Sequence, residues 1–537
     1  MPSPPDSWIM LATVVSAAVH GLDGTRVAVE IDLQRGLRAF HIVGLPSLAV
    51  RESRERVVAA LLNGGFTLPE QRLTVNLAPA DLPKEGAAFD LPIALGVLTA
   101  SSQVPAEALY DTCVLGELAL DGQVRAVRGA LPIAIAMRRV GVRRLLLPHE
   151  NVAEARLVPD LEVLGCDSLI EAAALLGARI PVGGGRTATR PERGAALATT
   201  DAGAPLDRLA PPGARAWSEC DTPDFAQVYG QETAKRALAI AAAGGHHVLM
   251  IGPPGVGKSM LARCMPGLIP PLAEAEALEV RQVLSVCGHH REAAERVVRR
   301  PFRAPHHTLS IPGLVGGGRP VVPGEITLAH HGVLFLDELP EFPRNLLDLL
   351  RQPLEEGTIR IARANLQVTF PARFQLVGAM NPCPCGFLGH PRKPCHCAPG
   401  DVMRYRSRVS GPILDRIDLR VEVGMPAEET LGRAGHASEQ ESLRSRIAAA
   451  RARQARRFAE LPGVHCNAQA GPEARRAFLR PRAEAAALLR QAVARWNLSV
   501  RAYERTLAVA RSIADVDGAS DVDAHHVAEA LQYRLLE

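Results

Sequence analysis

The residues best suited to chemistry form a glycine-rich octapeptide, "GPPGVGKS", which begins at Gly252. It follows an apolar run and precedes a helical pattern, as expected for a turn between a strand and a helix. In such a G-x-x-x-x-G-K-[ST] turn, backbone N–H groups surround phosphate oxygens and the helix dipole favours their charge. Lys258 would reach the β- and γ-phosphates and Ser259 would bind Mg²⁺, so ATP and Mg²⁺ are the predicted cofactors. The residues expected at the nucleotide are Gly252, Pro253, Pro254, Gly255, Val256, Gly257, Lys258, Ser259 and Met260.

Polar residues also end two later apolar strands. The run "GVLFLDELPEF" ends in Asp337 and Glu338, and "FQLVGAMNP" ends in Asn381. Because the carboxyl ends of parallel strands share one edge of a sheet, these side chains should lie beside the phosphate loop. Asp337 would hold Mg²⁺ directly or through water, Glu338 would polarise the attacking water, and Asn381 would position that water. The alternative for the acidic pair is a solvated turn.

Four cysteines follow Asn381 in the pattern C-x-C-x9-C-x-C. They are Cys383, Cys385, Cys395 and Cys397. Four thiolates close a tetrahedral Zn²⁺ shell, and this zinc would be structural. The C-x-C spacing is tighter than the usual C-x2-C, with His390 and His396 as spare ligands, and unliganded thiols in a Pro/Gly loop are the alternative.

The stretch "TIRIARANLQVTF", which begins at Thr358, alternates apolar and polar residues on both sides of a short polar turn. This alternation predicts a β-hairpin, with Arg360 and Arg363 near its tip.

Composition limits the remaining possibilities. The chain has 537 residues, which suggests three or four domains, and its hydrophobic and charged contents of 47% and 22% are those of a soluble globular protein. The net charge of +4 means that any contact with nucleic acid must come from a local patch. The sequence shows no signal peptide and no apolar segment long enough to span a membrane, so we expect a cytoplasmic protein.

The pattern along the chain predicts four regions. Residues 8–181 mix strands with amphipathic helices, and residues 182–222 form a Gly-, Ala-, Thr- and Pro-rich linker. An α/β pattern covers residues 223–426, and an Ala- and Arg-rich helical pattern covers residues 427–537.

From Phe225 to Glu537 the chain resembles the magnesium-chelatase-like AAA+ ATPases of the ComM/YifB type. The matching segments include "YGQETAKRALAIAAAGGHHVLMIGPPGVGKS", "RPFRAPHHT", "LLRQPLEEG", "GAMNPCPCG" and "SGPILDRIDL". The resemblance implies an α/β fold, with a P-loop AAA+ core followed by a C-terminal helical lid. It also implies that Asn381 is the sensor-1 residue and that "FAQVYGQ", which includes Tyr229 and Gly230, contributes to the adenine pocket. Without the resemblance, "FAQVYGQ" is only the segment that starts a helix.

The resemblance also implies arginines that act on a neighbour's nucleotide. Arg416 matches the arginine finger, with Arg408 as the second candidate, and Arg501 matches sensor 2, with Arg505 as the alternative. A finger that acts in trans requires head-to-tail contacts that close, so we expect a homo-oligomeric ring, most often a hexamer. Each residue is otherwise a surface arginine.

Two insertions resemble the helix-2 insert and the pre-sensor-1 hairpin of the clade that includes the MCM helicases. There such hairpins point into a central pore. By this likeness Arg363 would contact DNA, and Arg360 and Arg319 are weaker candidates. They would bind phosphate without reading bases. Solvated or salt-bridged arginines are the alternative.

The segments "APADLPKEGAAFDLPIAL" and "GELALDGQVRAVRGALPIAIA" resemble the α+β Lon protease domain. Ala88 and Leu131 stand where that family carries its serine nucleophile and lysine base, so we predict no peptidase activity. The domain would serve binding or ring assembly. Lys84 would contact DNA or merely solvent.

Two functions remain compatible with these observations. The first is a ring motor that hydrolyses ATP to move DNA, with branch migration in homologous recombination and natural transformation as its setting. The second is a magnesium-chelatase-like motor subunit that acts on a protein partner. The fold by itself does not separate them.

Overall fold

The computed structural model of this chain describes residues 10–44, 47–80, 84, 86–178, 223–318, 320–363, 366–426, 437–461 and 463–534. The predicted linker, 182–222, lies outside them. The chain folds as two compact units. Within the described residues, unit 1 comprises the chain up to residue 178 together with Ala277–Val298 and Gly317–Pro323, and unit 2 comprises the rest.

The strands are β1 (Met10–His20), β2 (Asp23–Gln34), β3 (Ala39–Val43), β4 (Arg72–Ala78), β5 (Thr112–Val114), β6 (Glu117–Leu118), β7 (Val124–Arg125), β8 (Arg144–Pro148), β9 (Glu162–Cys166), β10 (Val248–Ile251), β11 (Phe302–Arg303), β12 (Gly316–Gly317), β13 (Val322–Pro323), β14 (Val333–Leu336), β15 (Thr358–Arg363), β16 (Leu366–Pro371), β17 (Gln375–Met380) and β18 (Leu419–Glu422).

The helices are α1 (Leu48–Asn63), α2 (Asp90–Ala100), α3 (Ala130–Arg139), α4 (Val152–Ala155), α5 (Leu169–Leu175), α6 (Glu232–Gly244), α7 (Lys258–Cys264), α8 (Glu274–Cys287), α9 (His290–Ala293), α10 (Ile311–Val315), α11 (Glu325–Leu328), α12 (Arg344–Asp348), α13 (Arg351–Glu356), α14 (Pro399–Arg406), α15 (Gly411–Leu414), α16 (Ala437–Arg457), α17 (Pro472–Phe478), α18 (Ala483–Trp496), α19 (Val500–Asp517) and α20 (Ala524–Gln532).

Unit 1 is built on a mixed sheet with the strand order β3-β4-β2-β1-β5-β8-β9. Alternate residues of β2 are buried, as a strand with one face on the core requires. Helix α2 is apolar apart from Asp90 and Thr99, and it is buried along its whole length against β1 and β2. The predicted mixture of strands and helices in this part of the chain is therefore present.

The two positions that match the protease nucleophile and base lie in one apolar environment. Leu131 is fully buried in a hydrophobic cluster, and Ala88 packs against the same cluster. Lys84 is also buried, and its Nζ donates to the carbonyl of Pro79. Neither of the two expectations for Lys84, a solvent contact or a DNA contact, fits a lysine enclosed in the domain.

A helix from the part of the chain that carries the predicted phosphate loop completes unit 1. Helix α3 has no side-chain cap of its own at Gly129. Ser285, on α8, supplies one: its carbonyl accepts from Gly129 N at 2.9 Å and its Oγ accepts from Leu131 N at 3.2 Å. These N–H groups are among those that a helix leaves unbonded in its first turn. Unit 1 is thus assembled from segments distant in the sequence.

Unit 2 is built on a parallel sheet with the order β11-β14-β17-β10-β18. Its central strands, β14 and β17, are continuously buried, which is typical of parallel strands covered on both faces. Helix α6, strand β10 and the lid helices α16 and α19 contribute to one hydrophobic core. The prediction of a P-loop α/β core followed by a helical lid is confirmed.

Among the described residues, each helix is too short or too polar to cross a bilayer.

Candidate nucleotide site

The phosphate loop connects β10 to α7, as the sequence predicted. Gly255 and Gly257 have φ angles of 81° and 95°, a left-handed conformation that L side chains rarely adopt. Gly252 is required for space, since a Cβ there would lie 2.1 Å from the carbonyl oxygen of Val423. Gly255 and Gly257 therefore allow the backbone conformation of the loop, and Gly252 allows the loop to pack closely against Val423.

Lys258 closes the loop on itself. Its Nζ donates to the carbonyls of Gly252 and Pro253, at 2.6 and 2.8 Å, and to Asn381 Oδ1 at 3.2 Å. Burial lowers the pKa of this ammonium group, although the nearby Asp337 and Glu338 oppose the shift. The loop lysine and the strand-end amide predicted from separate motifs thus meet in one place.

Ser259 and Asp337 form the second contact between loop and sheet. Ser259 Oγ donates to Asp337 Oδ2 at 2.6 Å, and Asp337 Oδ1 accepts from Glu338 N at 2.9 Å. A hydroxyl and a carboxylate at this separation are oxygen donors of the kind that Mg²⁺ prefers. These two side chains fit the predicted ion.

Glu338 is held in an unusual conformation. Its φ is 51°, which for a residue with a side chain costs about 1–3 kcal/mol and is often found at functional sites. Its Oε2 lies 3.6 Å from Nδ1 of His307, whose ring meets Phe342 edge-on. Sequence reasoning missed His307. The signal was available, because "HH" follows β11, the neighbour of β14, at the same edge of the sheet.

The predicted adenine segment is tied to the loop. Gln231 Nε2 donates to Gly424 O at 2.7 Å and to Val256 O at 3.3 Å. Phe225 is fully buried in the core, whereas Tyr229 is exposed. Gly230, next to it, has a φ of 61°.

The two arginines predicted to act in trans converge on one carboxylate. Arg416 Nη2 and Arg501 Nη2 each lie 2.7 Å from Glu355 Oε1. Their hydrogen bonds and ion pairs in the described part of the chain do not reach the phosphate loop. Glu355 was not predicted from the sequence, since a glutamate on a short helix carries no signal of its own.

The alternative arginines have other partners. Arg505 Nη1 lies 2.6 Å from Oδ1 of the buried Asp418. Arg408 Nη1 lies 2.9 Å from Glu341 Oε2, with both side chains partly exposed. Arg505 therefore supports the protein interior, in contrast to the half-exposed Arg501.

The four cysteines come together as one cluster. Cys383 Sγ lies 3.4 Å from Cys385 Sγ and 3.6 Å from Cys395 Sγ, and the four sulfur atoms, including that of Cys397, lie within 4.8 Å of one another. Tetrahedral Zn²⁺ with Zn–S bonds of about 2.3 Å places sulfur atoms about 3.8 Å apart. The cluster fits that shell. The spare candidate His390 uses its Nδ1 to accept two backbone N–H groups.

The cysteine loop packs against the phosphate loop. Gly386 has a φ of 83°, and a Cβ at this position would lie 2.8 Å from Pro254 Cδ and 3.8 Å from Asn381 Cγ. Backbone N–H groups of Phe387 and then His396 lower the pKa of the Cys385 thiol to about 6. The loop therefore lies directly beside the nucleotide-binding residues.

The basic hairpin is formed by β15 and β16, which confirms that prediction. Ile359 pairs with Phe370 on the buried face, and Arg360 is exposed with a glutamate, Glu356, 3.4 Å away. Arg363 belongs to the last pair before the turn. Its side chain lies outside the described residues, as does Arg319.

Comparison with known proteins assigns the chain to a family. The family model for magnesium chelatase, subunit ChlI, matches residues 224–431, its C-terminal model matches 437–534, and a further ChlI model matches 29–151. Competence protein ComM of Haemophilus influenzae is 42% identical over 98% of both chains. The chain belongs to the ComM/YifB family of magnesium-chelatase-like proteins. YifB of Salmonella typhimurium is 41% identical over 98% of this chain and 97% of its own.

A more distant relative matches a smaller part of the chain. The magnesium-chelatase 67 kDa subunit of Heliobacterium mobile is 28% identical over 35% of this chain and 33% of its own. The ComM/YifB family has an AAA+ core that uses ATP and Mg²⁺, in agreement with the predicted cofactors.

Proposed function

We propose that the chain is an ATP-hydrolysing AAA+ ring motor that acts on DNA, as a branch-migration helicase in homologous recombination and natural transformation. The observation that carries the proposal is the meeting of Lys258, Ser259, Asp337, Glu338 and Asn381 at one edge of a parallel sheet. The DNA substrate is supported by the basic hairpin and by the relative named as a competence protein.

Each residue at this edge has a role in phosphoryl transfer. ATP with Mg²⁺ supplies the phosphoanhydride bond and the charge that polarises it. Lys258 and the loop N–H groups bind phosphate oxygens, while Ser259 and Asp337 hold the ion. Glu338 orients the attacking water and accepts its proton, and Asn381 fixes the water from the other side.

Arg416 and Arg501 complete the site of the adjacent subunit. Cationic groups at the transferring phosphoryl group stabilise the charge that develops there. Such a head-to-tail contact closes into a ring, for which we propose six subunits. The hairpin arginines Arg360 and Arg363, with Arg319, then line the ring and bind DNA phosphates, so affinity falls as salt rises.

The cysteine cluster is proposed as a structural zinc site. The distances between its sulfur atoms match a tetrahedral shell. Because Gly386 in the cysteine loop lies close to Pro254 in the phosphate loop, a bound zinc would hold in place the loop that supports the nucleotide site. Unit 1 is proposed as a Lon-like domain without peptidase activity, since Ala88 and Leu131 offer no nucleophile and no base.

The test is ATPase rate and strand displacement, each measured with and without branched DNA. We expect DNA to stimulate turnover, and Arg363→Ala to reduce both this stimulation and the strand displacement. Arg125→Ala is the matched control, because Arg125 is an exposed hairpin arginine 3.9 Å from a glutamate, Glu117, in unit 1. It should behave as the wild type.

The alternative is a magnesium-chelatase-like motor, favoured by the likeness of residues 224–431 to chelatase subunits. It predicts ATPase activity that ignores DNA and rises with a porphyrin-binding protein partner. That result would contradict the DNA function and leave the ATPase assignment in place.

A further inference from the structure

Glu355 is the point at which two cationic side chains of unit 2 meet. Its Oε1 lies 2.7 Å from Nη2 of Arg416 and 2.7 Å from Nη2 of Arg501. Arg416 is buried and comes just before β18, whereas Arg501 is half-exposed in the first turn of α19. Residues 85 positions apart in the sequence, one from the core and one from the lid, thus share a single oxygen atom.

The electrostatics of this cluster require the carboxylate to be ionised. Two guanidinium groups bound to the same oxygen repel one another unless an anion lies between them. Partial burial would raise the pKa of Glu355, but the hydrogen bond from Arg416 and the charge of Arg501 outweigh it and lower the pKa. The cluster has one negative and two positive charges, so it retains a net positive charge that attracts a further anion.

One member of the pair is anchored independently of Glu355. Arg416 Nη1 donates to Pro412 O at 2.5 Å, and the carbonyl of Arg416 accepts from Arg505 Nη1 at 2.7 Å. The guanidinium of Arg501 has Glu355 as its ion-pair partner in the described structure. Loss of the carboxylate would therefore release Arg501 more than Arg416.

Glu355 also lies at the base of the hairpin. It is in the last turn of α13, which ends at Gly357 with a φ of 65° and a bond from its N–H to Pro353 O. Strand β15 starts at the next residue, Thr358. A displacement of Glu355 would therefore be carried directly into the strand that bears Arg360.

We propose that Glu355 is a positioning residue that holds Arg416 and Arg501 side by side, so that both can bind the phosphates of an adjacent subunit's nucleotide. This assignment rests on the ATPase in trans proposed above. Glu355 would also couple the position of the arginine pair to that of the adjacent strand of the hairpin, β15.

The test is a double-mutant cycle on turnover without DNA. Glu355→Gln keeps the size of the side chain and removes its charge. We expect kcat to fall about tenfold, equivalent to about 1.4 kcal/mol, with KM for ATP within about twofold. Arg501→Ala should lower kcat similarly, and the double variant should be no slower than Arg501→Ala, because residues that act as a unit are not additive.

Glu504→Gln is the control, because Glu504 lies on α19 with a comparable exposure and pairs with a different arginine, Arg475, at 3.1 Å. It should retain wild-type kcat. Glu355→Asp restores the charge on a shorter side chain and should recover part of kcat, which a purely structural role would not explain. Melting temperatures of all variants should agree within a few degrees.

A wild-type kcat in Glu355→Gln, or additive effects in the cycle, would overturn the assignment. A different result would contradict the DNA function alone. In that case Arg363→Ala would leave turnover and strand displacement unaltered, while the double-mutant cycle on Glu355 and Arg501 remained non-additive.

Discussion

Asn381 Oδ1 accepts a hydrogen bond from Lys258 Nζ at 3.2 Å, which joins the end of β17 to the phosphate loop. The same ammonium group is bound to two carbonyls of the loop. A bound phosphate has to replace these neutral acceptors with charged oxygens, which form stronger hydrogen bonds with an ammonium group. The lysine is therefore already directed at the place where phosphate would lie.

Glu338→Gln should bind ATP but hydrolyse it at least about 100-fold more slowly than the wild type, because the amide accepts no proton from water. Nucleotide binding by fluorescence titration and phosphate release measure the two steps. Glu162→Gln changes an exposed carboxylate on β9 in unit 1 and should retain turnover within about twofold. Wild-type hydrolysis by Glu338→Gln would contradict the role of Glu338.

Gly386→Ala should weaken ATP binding several-fold. The new Cβ would lie 2.8 Å from Pro254 Cδ, so the phosphate loop would have to shift. Gly389→Ala is a matched control, since Gly389 has a φ of 78° but no heavy atom within 4 Å of its Cβ position. Both variants place a side chain at a similar left-handed φ and so carry a comparable backbone strain, roughly 1–2 kcal/mol. Equal ATP dissociation constants for the two would show that the contact does not matter.

Purified protein should contain one Zn²⁺ per chain, bound to four thiolates. Cys397→Ser should lower the metal content and the melting temperature together, because a structural zinc contributes directly to stability. Cys287→Ser, a substitution outside the cluster, should leave the metal content unchanged. Elemental analysis of both variants decides the question, and a fully folded, metal-free wild type would rule out the site.

Stability should fall as the pH is lowered from about 6.5 to 4. Desolvation lowers the pKa of His247 to about 4, and its Nδ1 accepts from Leu376 N at 3.1 Å, as a neutral ring can. Between these pH values this histidine binds a proton in the unfolded chain but not in the folded chain. The free energy of unfolding therefore falls by at most about 1.4 kcal/mol per pH unit. The free energy of unfolding, measured with urea at each pH, should fall less steeply with decreasing pH in His247→Gln than in the wild type. An identical pH dependence in the two proteins would assign the loss of stability to other groups.

The nucleotide site could be predicted from sequence because Lys258 and Ser259 belong to a phosphate-loop motif and its other residues directly follow strands of a parallel sheet. That rule places Asp337, Glu338 and Asn381 together without any knowledge of contacts. The hairpin could also be predicted, because apolar and polar residues alternate with the period of two that a β-strand requires. Arg363 is next to the turn in that pattern. Local pattern and topology were sufficient in both cases.

Contacts between distant segments could not be predicted. Glu355 binds two arginines and Ser285 caps α3, yet neither residue belongs to a periodic pattern that indicates its partner. Lys84 shows the same limit, since its burial depends on the packing of the whole domain and not on the residues beside it. Such pairings become visible only when the chain is folded.

The cap that Ser285 places on α3 bears on how the molecule could be divided. A fragment ending at residue 178 would keep Gly129 and Leu131 but lose the oxygens that satisfy their N–H groups, and each buried orphan costs about 1–3 kcal/mol. Such a fragment would begin α3 without its cap. A designed chimera that transfers the amino-terminal domain should therefore include α8.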